Sequence, residues 1–164
     1  MNKSNNHAIA LTEKQFELIE RLSNFGCGQG IQPAAASITA LLMVSDKTEL
    51  TFDEIRETLS LSKSATSNGI NYLLMTEKIS FITKTGDRKR YFRSDVASWK
   101  ESFTTQFQSL GKFCELLNEI KDVRTKETTE FNSSIEDLYS FITYFLEEIP
   151  KIYQKWEKKR IENL

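Results

Sequence analysis

A mainly α-helical fold of the α+β class is predicted by three observations. Apolar residues at helical spacing, preceded by helix-start signals, account for most of the chain from Thr12 onward. Two short runs rich in β-branched and aromatic residues, "ISFITK" and "KRYFR", flank a Thr-Gly-Asp turn and read as one hairpin. Beyond Ser94 the apolar residues settle into a three-and-four alternation that predicts two long packed helices.

Residues 1–11 read as a flexible tail. Thr12 with Gln15 makes a capping box that opens the first helix, which passes Leu22 and Phe25 and stops at the glycine-rich "GCGQG". No strand precedes these glycines and no Gly-Lys-Ser/Thr follows, so they read as a helix stop and not a phosphate loop. Pro33 opens a second helix, "PAAASITALLMV", which is apolar nearly all round and therefore predicted to be buried. Thr51 and Glu54 form another capping box and start the short helix "FDEIRETL". Ser60 to Ser62 make a tight break, and Ser62 caps a further helix over residues 63–77. The hairpin follows, and the two long helices are separated near residues 123–128. The order, short helix, tight turn, helix and charged hairpin, is that of a winged helix-turn-helix. The expected organisation is a tail over 1–11, a winged helix-turn-helix over 12–93 and a helical dimerisation region over 94–164.

The 164 residues are 39% hydrophobic and 27% charged, with a net charge of −1. That balance gives no global attraction to nucleic acid or membrane, so any electrostatic argument is local. Cys27, Cys114 and the single histidine, His7, form neither a disulfide framework nor a zinc site. No metal, cofactor or catalytic residue is expected: neither cysteine has a base nearby in sequence, and the histidine lies in the tail. The opening segment lacks the apolar stretch of a secretory signal, and the longest apolar run, 38–44, is too short to span a bilayer. A cytoplasmic protein without membrane contact is expected.

The stretch "LSLSKSATSNGINYL", residues 59–73, is rich in weak helix formers, yet its apolar spacing stays helical. Ile70, Leu73, Leu74 and the methyl of Thr66 make a core stripe. Ser64, Ala65, Asn68, Tyr72 and Met75 fall opposite, with Asn71 at the margin. Solvated helix faces carry lysine and glutamate, whereas Ser64 to Thr76 carries no charge at all. Such a face suits the donor and acceptor edges of a major groove, and asparagine pairs well with adenine. Gly69 flanks the core stripe and is expected to admit a neighbouring helix closely.

Local charge agrees. Residues 60–93 hold seven basic residues against Glu77 and Asp87, a net of +5, so the remainder carries −6. A basic segment in an otherwise acidic chain is an electrostatic footprint for phosphate. The expected contacts to double-stranded DNA are Ser62, Lys63, Ser64, Ser67, Asn68, Asn71 and Tyr72 from the helix, with Lys84, Arg88, Lys89 and Arg90 from the hairpin.

"FDEIRETLSLSKSATSNGINYL" followed by "ISFITKTGDRKRYF" resembles the winged-helix core of the MarR superfamily of bacterial repressors, most closely its GbsR-like branch. Leu61 to Ser64, Ser67, Leu73 and Gly86 to Lys89 carry the resemblance, which covers residues 33–93. It implies a dimer on near-palindromic operators, acting as a repressor and released in some members by a small-molecule effector. Glu77 and Lys78 stand where such sequences usually have a glycine and an apolar residue. The helix also lacks the arginine often present on its outer face.

In the second long helix Phe131, Ile135, Leu138, Ile142, Phe145, Ile149, Ile152 and Trp156 alternate strictly by four and three, and Tyr139, Leu146 and Tyr153 add a second stripe. Two stripes need two partners, and a second copy of the same helix across a two-fold axis supplies one. A homodimer is therefore expected, with Pro150 kinking this helix after Ile149. Eleven of the eighteen aromatic residues lie beyond residue 94, enough for packing and for an aromatic effector pocket. The alternative function is a winged-helix protein-interaction module without a DNA role.

Overall fold

The computed structural model describes residues 7–162, with Ala97 by its backbone alone, and the chain divides into two units between Ala97 and Ser98. Residues 1–6 of the expected tail lie outside the described residues.

The first unit runs α1 (Glu13–Gly28), α2 (Pro33–Val44), β1 (Leu50–Thr51), α3 (Phe52–Thr58), α4 (Lys63–Met75), β2 (Ile79–Thr83) and β3 (Arg90–Ser94). Both capping boxes form: Thr12 and Gln15 exchange side-chain and backbone bonds at α1, as do Thr51 and Glu54 at α3. α2 is the central helix, packed against α1 and α4, with Ala35, Ile38 and Leu41 excluded from solvent. Leu50, Ile55, Ile70, Leu73, Ile79 and Phe92 complete one core.

The sheet is antiparallel with order β1-β3-β2, pairing Leu50 with Phe92 on one side and Phe81 with Phe92 on the other. β1 is not among the elements expected from the sequence. Two residues are too few to show a strand period, and β3 supplies their pairing. Part of the expected tail is also ordered. The Ile9 amide donates to Thr58 Oγ1 at 3.0 Å, the His7 amide donates to the Glu57 carboxylate, and Ile9 and Leu11 pack on the core. Two apolar residues in a polar segment are enough to hold residues 7–11 along α3.

Three helices in this unit end in the same way. After α1, α3 and α4 the chain turns through a left-handed residue: Gly30 (φ 83°), Ser60 (φ 52°) and Glu77 (φ 55°). At each, the following amide reaches back five residues: Ile31 to Gly26, Leu61 to Arg56 and Lys78 to Leu73. α1 thus continues through Gly26 to Gly28, and Gly30 supplies the left-handed turn after it. α4 stops at Met75, two residues short of the expected end, because Glu77 leaves helical φ.

The second unit is a hairpin of α5 (Trp99–Val123) and α6 (Thr129–Glu162), preceded by a 3-10 turn over Val96–Ser98. Its core is small: Cys114 and Leu117 meet Ile135 and Ile142, flanked by Leu110, Tyr139 and Leu146. The eight-residue seam predicted on α6 is therefore divided. Ile135 and Ile142 turn inward to α5, whereas Phe131 (57%), Leu138 (43%) and Ile152 (58%) stay exposed. Phe145 and Trp156 are also exposed and Ile149 is half-buried. α6 continues through Pro150. One missing amide donor does not end it, because Trp156 lies 5.4 Å from Trp99 and Glu157 pairs with Lys100 at 3.1 Å beyond that point. Among the described residues no helix is long and apolar enough to cross a membrane.

Candidate nucleic-acid interface

α3, the Ser60–Ser62 turn and α4 make the helix-turn-helix. Ser60 supplies the left-handed turn, and Ser62 Oγ accepts the Ala65 amide at 3.1 Å, so α4 starts at a defined residue. Thr66 is fully buried, its hydroxyl donating to the Ser62 carbonyl at 3.0 Å, which fixes the first turn of α4 against the core. At Gly69 a Cβ would stand 2.8 Å from Ile38 Cδ1 and 3.3 Å from the backbone of Ala34 and Ala35. The missing side chain is what lets α4 lie this close to α2.

With that face buried, the opposite one is set. Ser64, Asn68, Asn71 and Met75 are all exposed, Met75 by 77%, at spacings of four, three and four that make a single stripe. Lys63 and Lys78 are exposed at either end of the helix. Asn71, read at the margin, lies in the stripe itself. Tyr72 does not: it is half-buried and packs on the core. Ser67 is half-buried beside the stripe, and Ser62 has its hydroxyl engaged as the cap.

The wing is the β2–β3 hairpin, organised by Asp87. Gly86 (φ 83°) turns the chain, and the Asp87 amide donates to the Lys84 carbonyl at 3.0 Å. The Asp87 carboxylate accepts the Tyr91 hydroxyl at 2.6 Å and the Lys89 amide at 2.9 Å. The tyrosine hydroxyl, then the Lys89 amide, hold this carboxyl below the usual aspartate range, and Asp87 in turn raises Tyr91. The sequence reading assigned Asp87 no role. Its signal is the acid directly after a turn glycine, two residues before an amide it can accept.

The basic residues of the wing divide into two groups. The Lys84 ammonium pairs with the Glu49 carboxylate and sits 4.2 Å from the centre of the Tyr91 ring. The Arg90 guanidinium lies 5.1 and 5.6 Å from the ring centres of Phe81 and Phe92. Arg93 donates from Nε to Ser80 Oγ at 3.1 Å. Among the described residues the side chains of Arg88 and Lys89, at the tip, make no hydrogen bond or ion pair, and both are exposed. Charge counting alone does not separate these groups, because the partners come from β2, β3 and the loop before β1.

The architecture is decided by comparison. A solved structure described as a transcriptional regulator superposes with a TM-score of 0.68 at 14% identity, covering 88% of this chain and 99% of that one. The fold is a winged helix-turn-helix. A mutant of S. aureus MepR (TM-score 0.41, 15% identity, 81% of this chain and 99% of that one) also aligns. So does the heme sensor protein PefR in complex with heme and carbon monoxide (TM-score 0.35, 20% identity, 75% and 84%). No family model matches the chain, and no curated protein does.

In the second unit a cavity of about 640 Å³ lies along the α5–α6 hairpin. Gly111, Cys114 and Thr143 are among its more buried lining residues, and Glu115, Glu119 and Glu147 among its exposed ones. Cys114 Sγ and Thr143 Oγ1 are 3.3 Å apart. Tyr139 is the one aromatic side chain in its lining, and the Lys121 ammonium already covers that ring at 4.4 Å. This cavity is thus not the aromatic cage that the count of aromatic residues allowed. Most of the rings pack on one another instead, mainly edge to face, as in the series Trp99, Phe103, Phe107, Phe145 and Phe141.

Proposed function

We propose that this chain is a sequence-specific DNA-binding transcription regulator, acting as a homodimer. The observation that carries the reading is the uncharged exposed stripe of α4, beside a wing whose two tip cations make no hydrogen bond or ion pair among the described residues. A helix reads base edges with short polar groups, and separate cations meet phosphate. The resemblance of residues 33–93 to the MarR superfamily and its GbsR-like branch supports the same reading. Repression, and release by a small-molecule effector, are part of the proposal through that resemblance, and the acidic α5–α6 cavity has a volume suited to such a ligand.

Dimerisation rests on the second unit. Two helices of 25 and 34 residues bury only four residues between them, while Phe131, Leu138, Phe141 and Ile152 remain open to solvent. Large exposed apolar surface of this kind marks an association site, and a copy of the same helix is the partner with matching heptad spacing.

The test is binding to duplex DNA across a salt series. A DNA reader loses affinity steeply with salt, and Arg88→Ala flattens the slope by about one unit per protomer if it neutralises one phosphate. Salt-independent binding to a protein partner, with no duplex binding, supports the interaction-module alternative instead.

A further inference from the structure

The stripe on α4 carries information about which base pairs it faces. The four side chains in line are Ser64, Asn68, Asn71 and Met75. Among the described residues neither asparagine amide is held by a protein partner, so each offers one acceptor and two donor hydrogens outward. The two lie three residues apart, about 4.5 Å along the axis at 1.5 Å per residue, so with side-chain reach they can address adjacent base pairs about 3.4 Å apart.

Major-groove recognition assigns chemistry to bases. Guanine, with two acceptors, is met by arginine or lysine. The cytosine amino group is met by aspartate or glutamate. Adenine, with one acceptor and one donor, fits the asparagine amide, and the thymine methyl fits apolar side chains. From Ser64 to Thr76 there is no lysine, arginine, aspartate or glutamate, so both charged chemistries used for a G·C pair are missing. Both chemistries for an A·T pair are present: two free asparagine amides, and Met75 exposed by 77% at the end of the helix. Of the exposed cations nearest the stripe, Lys63 is the first residue of α4 and precedes Ser64, and Lys78 lies beyond the end of the helix.

We infer that α4 selects adjacent A·T pairs in each half-site, Asn68 and Asn71 each reading one adenine and Met75 meeting a thymine methyl. This rests on the DNA-binding reading above and specifies its substrate: an operator whose directly read core is A·T-rich.

The experiment is enrichment of random duplexes by the purified full chain and by Asn68→Ala, Asn71→Ala and Asn68→Arg. Both asparagines are exposed, and thermal melts of each variant establish that it stays folded. Wild type should enrich A·T at two neighbouring positions per half-site. Each alanine variant should relax one of them, with discrimination there falling by about 5- to 150-fold. Asn68→Arg should move its position toward G·C. Enrichment of G·C at the positions that the alanine variants relax, or alanine variants that leave the motif unchanged, overturns the inference while DNA binding stands. No enrichment together with no salt-dependent duplex binding overturns the DNA-binding reading itself, and this inference with it.

Discussion

Gly69→Ala tests the packing that aims the reading stripe. In an isolated helix the change would stabilise α4 by up to about 1 kcal/mol, since alanine is the better helix former. Against that, the new Cβ would stand 2.8 Å from Ile38 Cδ1 and 3.3 Å from Ala34 C and Ala35 N. Ile38 is fully buried, so its terminal methyl cannot turn out to solvent, and the other two atoms are the backbone of α2, which cannot rotate away. Overpacking of this kind costs about 1 to 3 kcal/mol. The clash therefore wins, with a net loss of about 1 kcal/mol and a melting temperature lower by about 4 to 8 °C for a unit of this size. Scanning calorimetry of wild type and variant measures it. A double variant with Ile38→Val removes Cδ1 and should be less destabilised than the two single losses added together. A Gly69→Ala protein that melts at or above the wild-type temperature refutes the close approach of α4 to α2.

Three further outcomes follow from the geometry. Glu77→Gly should stabilise the first unit by about 1 kcal/mol in urea unfolding, because Glu77 holds a left-handed φ of 55° that costs a side-chain-bearing residue about that much. For Glu54, burial raises the carboxyl, but hydrogen bonds from Lys47 and Thr51 outweigh it and leave the group below the usual glutamate value. Its contribution is then complete above the ordinary glutamate pKa and is lost as pH falls through the lowered folded value, so Glu54→Gln should show a shallower loss of stability in an acid melt series. On α6, Leu138→Asp should yield monomers with intact helicity in sedimentation and circular dichroism, since Leu138 is exposed. Ile142→Asp should unfold the hairpin, since Ile142 is buried against α5.

Local physics made much of this protein legible in one dimension. The capping boxes at Thr12 and Thr51, the Ser62 cap, the buried α2 and the hairpin around Gly86 are each decided within a few residues, so spacing and residue type reveal them. The same holds for Ser64, Asn68 and Met75 of the stripe, because a face opposite a core stripe follows from helical period alone. What needed tertiary structure is whatever depends on residues far apart. Lys84 and Arg88 are both basic residues of the wing, yet only the fold brings Glu49 and the Tyr91 ring to Lys84 while leaving Arg88 open. Tyr72 and Asn71 are neighbours at the edge of one face, and the surrounding core decides that the ring packs and the amide faces solvent. On α6, a perfect heptad could not say which positions α5 would take, since Ile135 and Leu138 are equally apolar. Period fixes which residues share a face; the partner that covers it is a property of the packed chain.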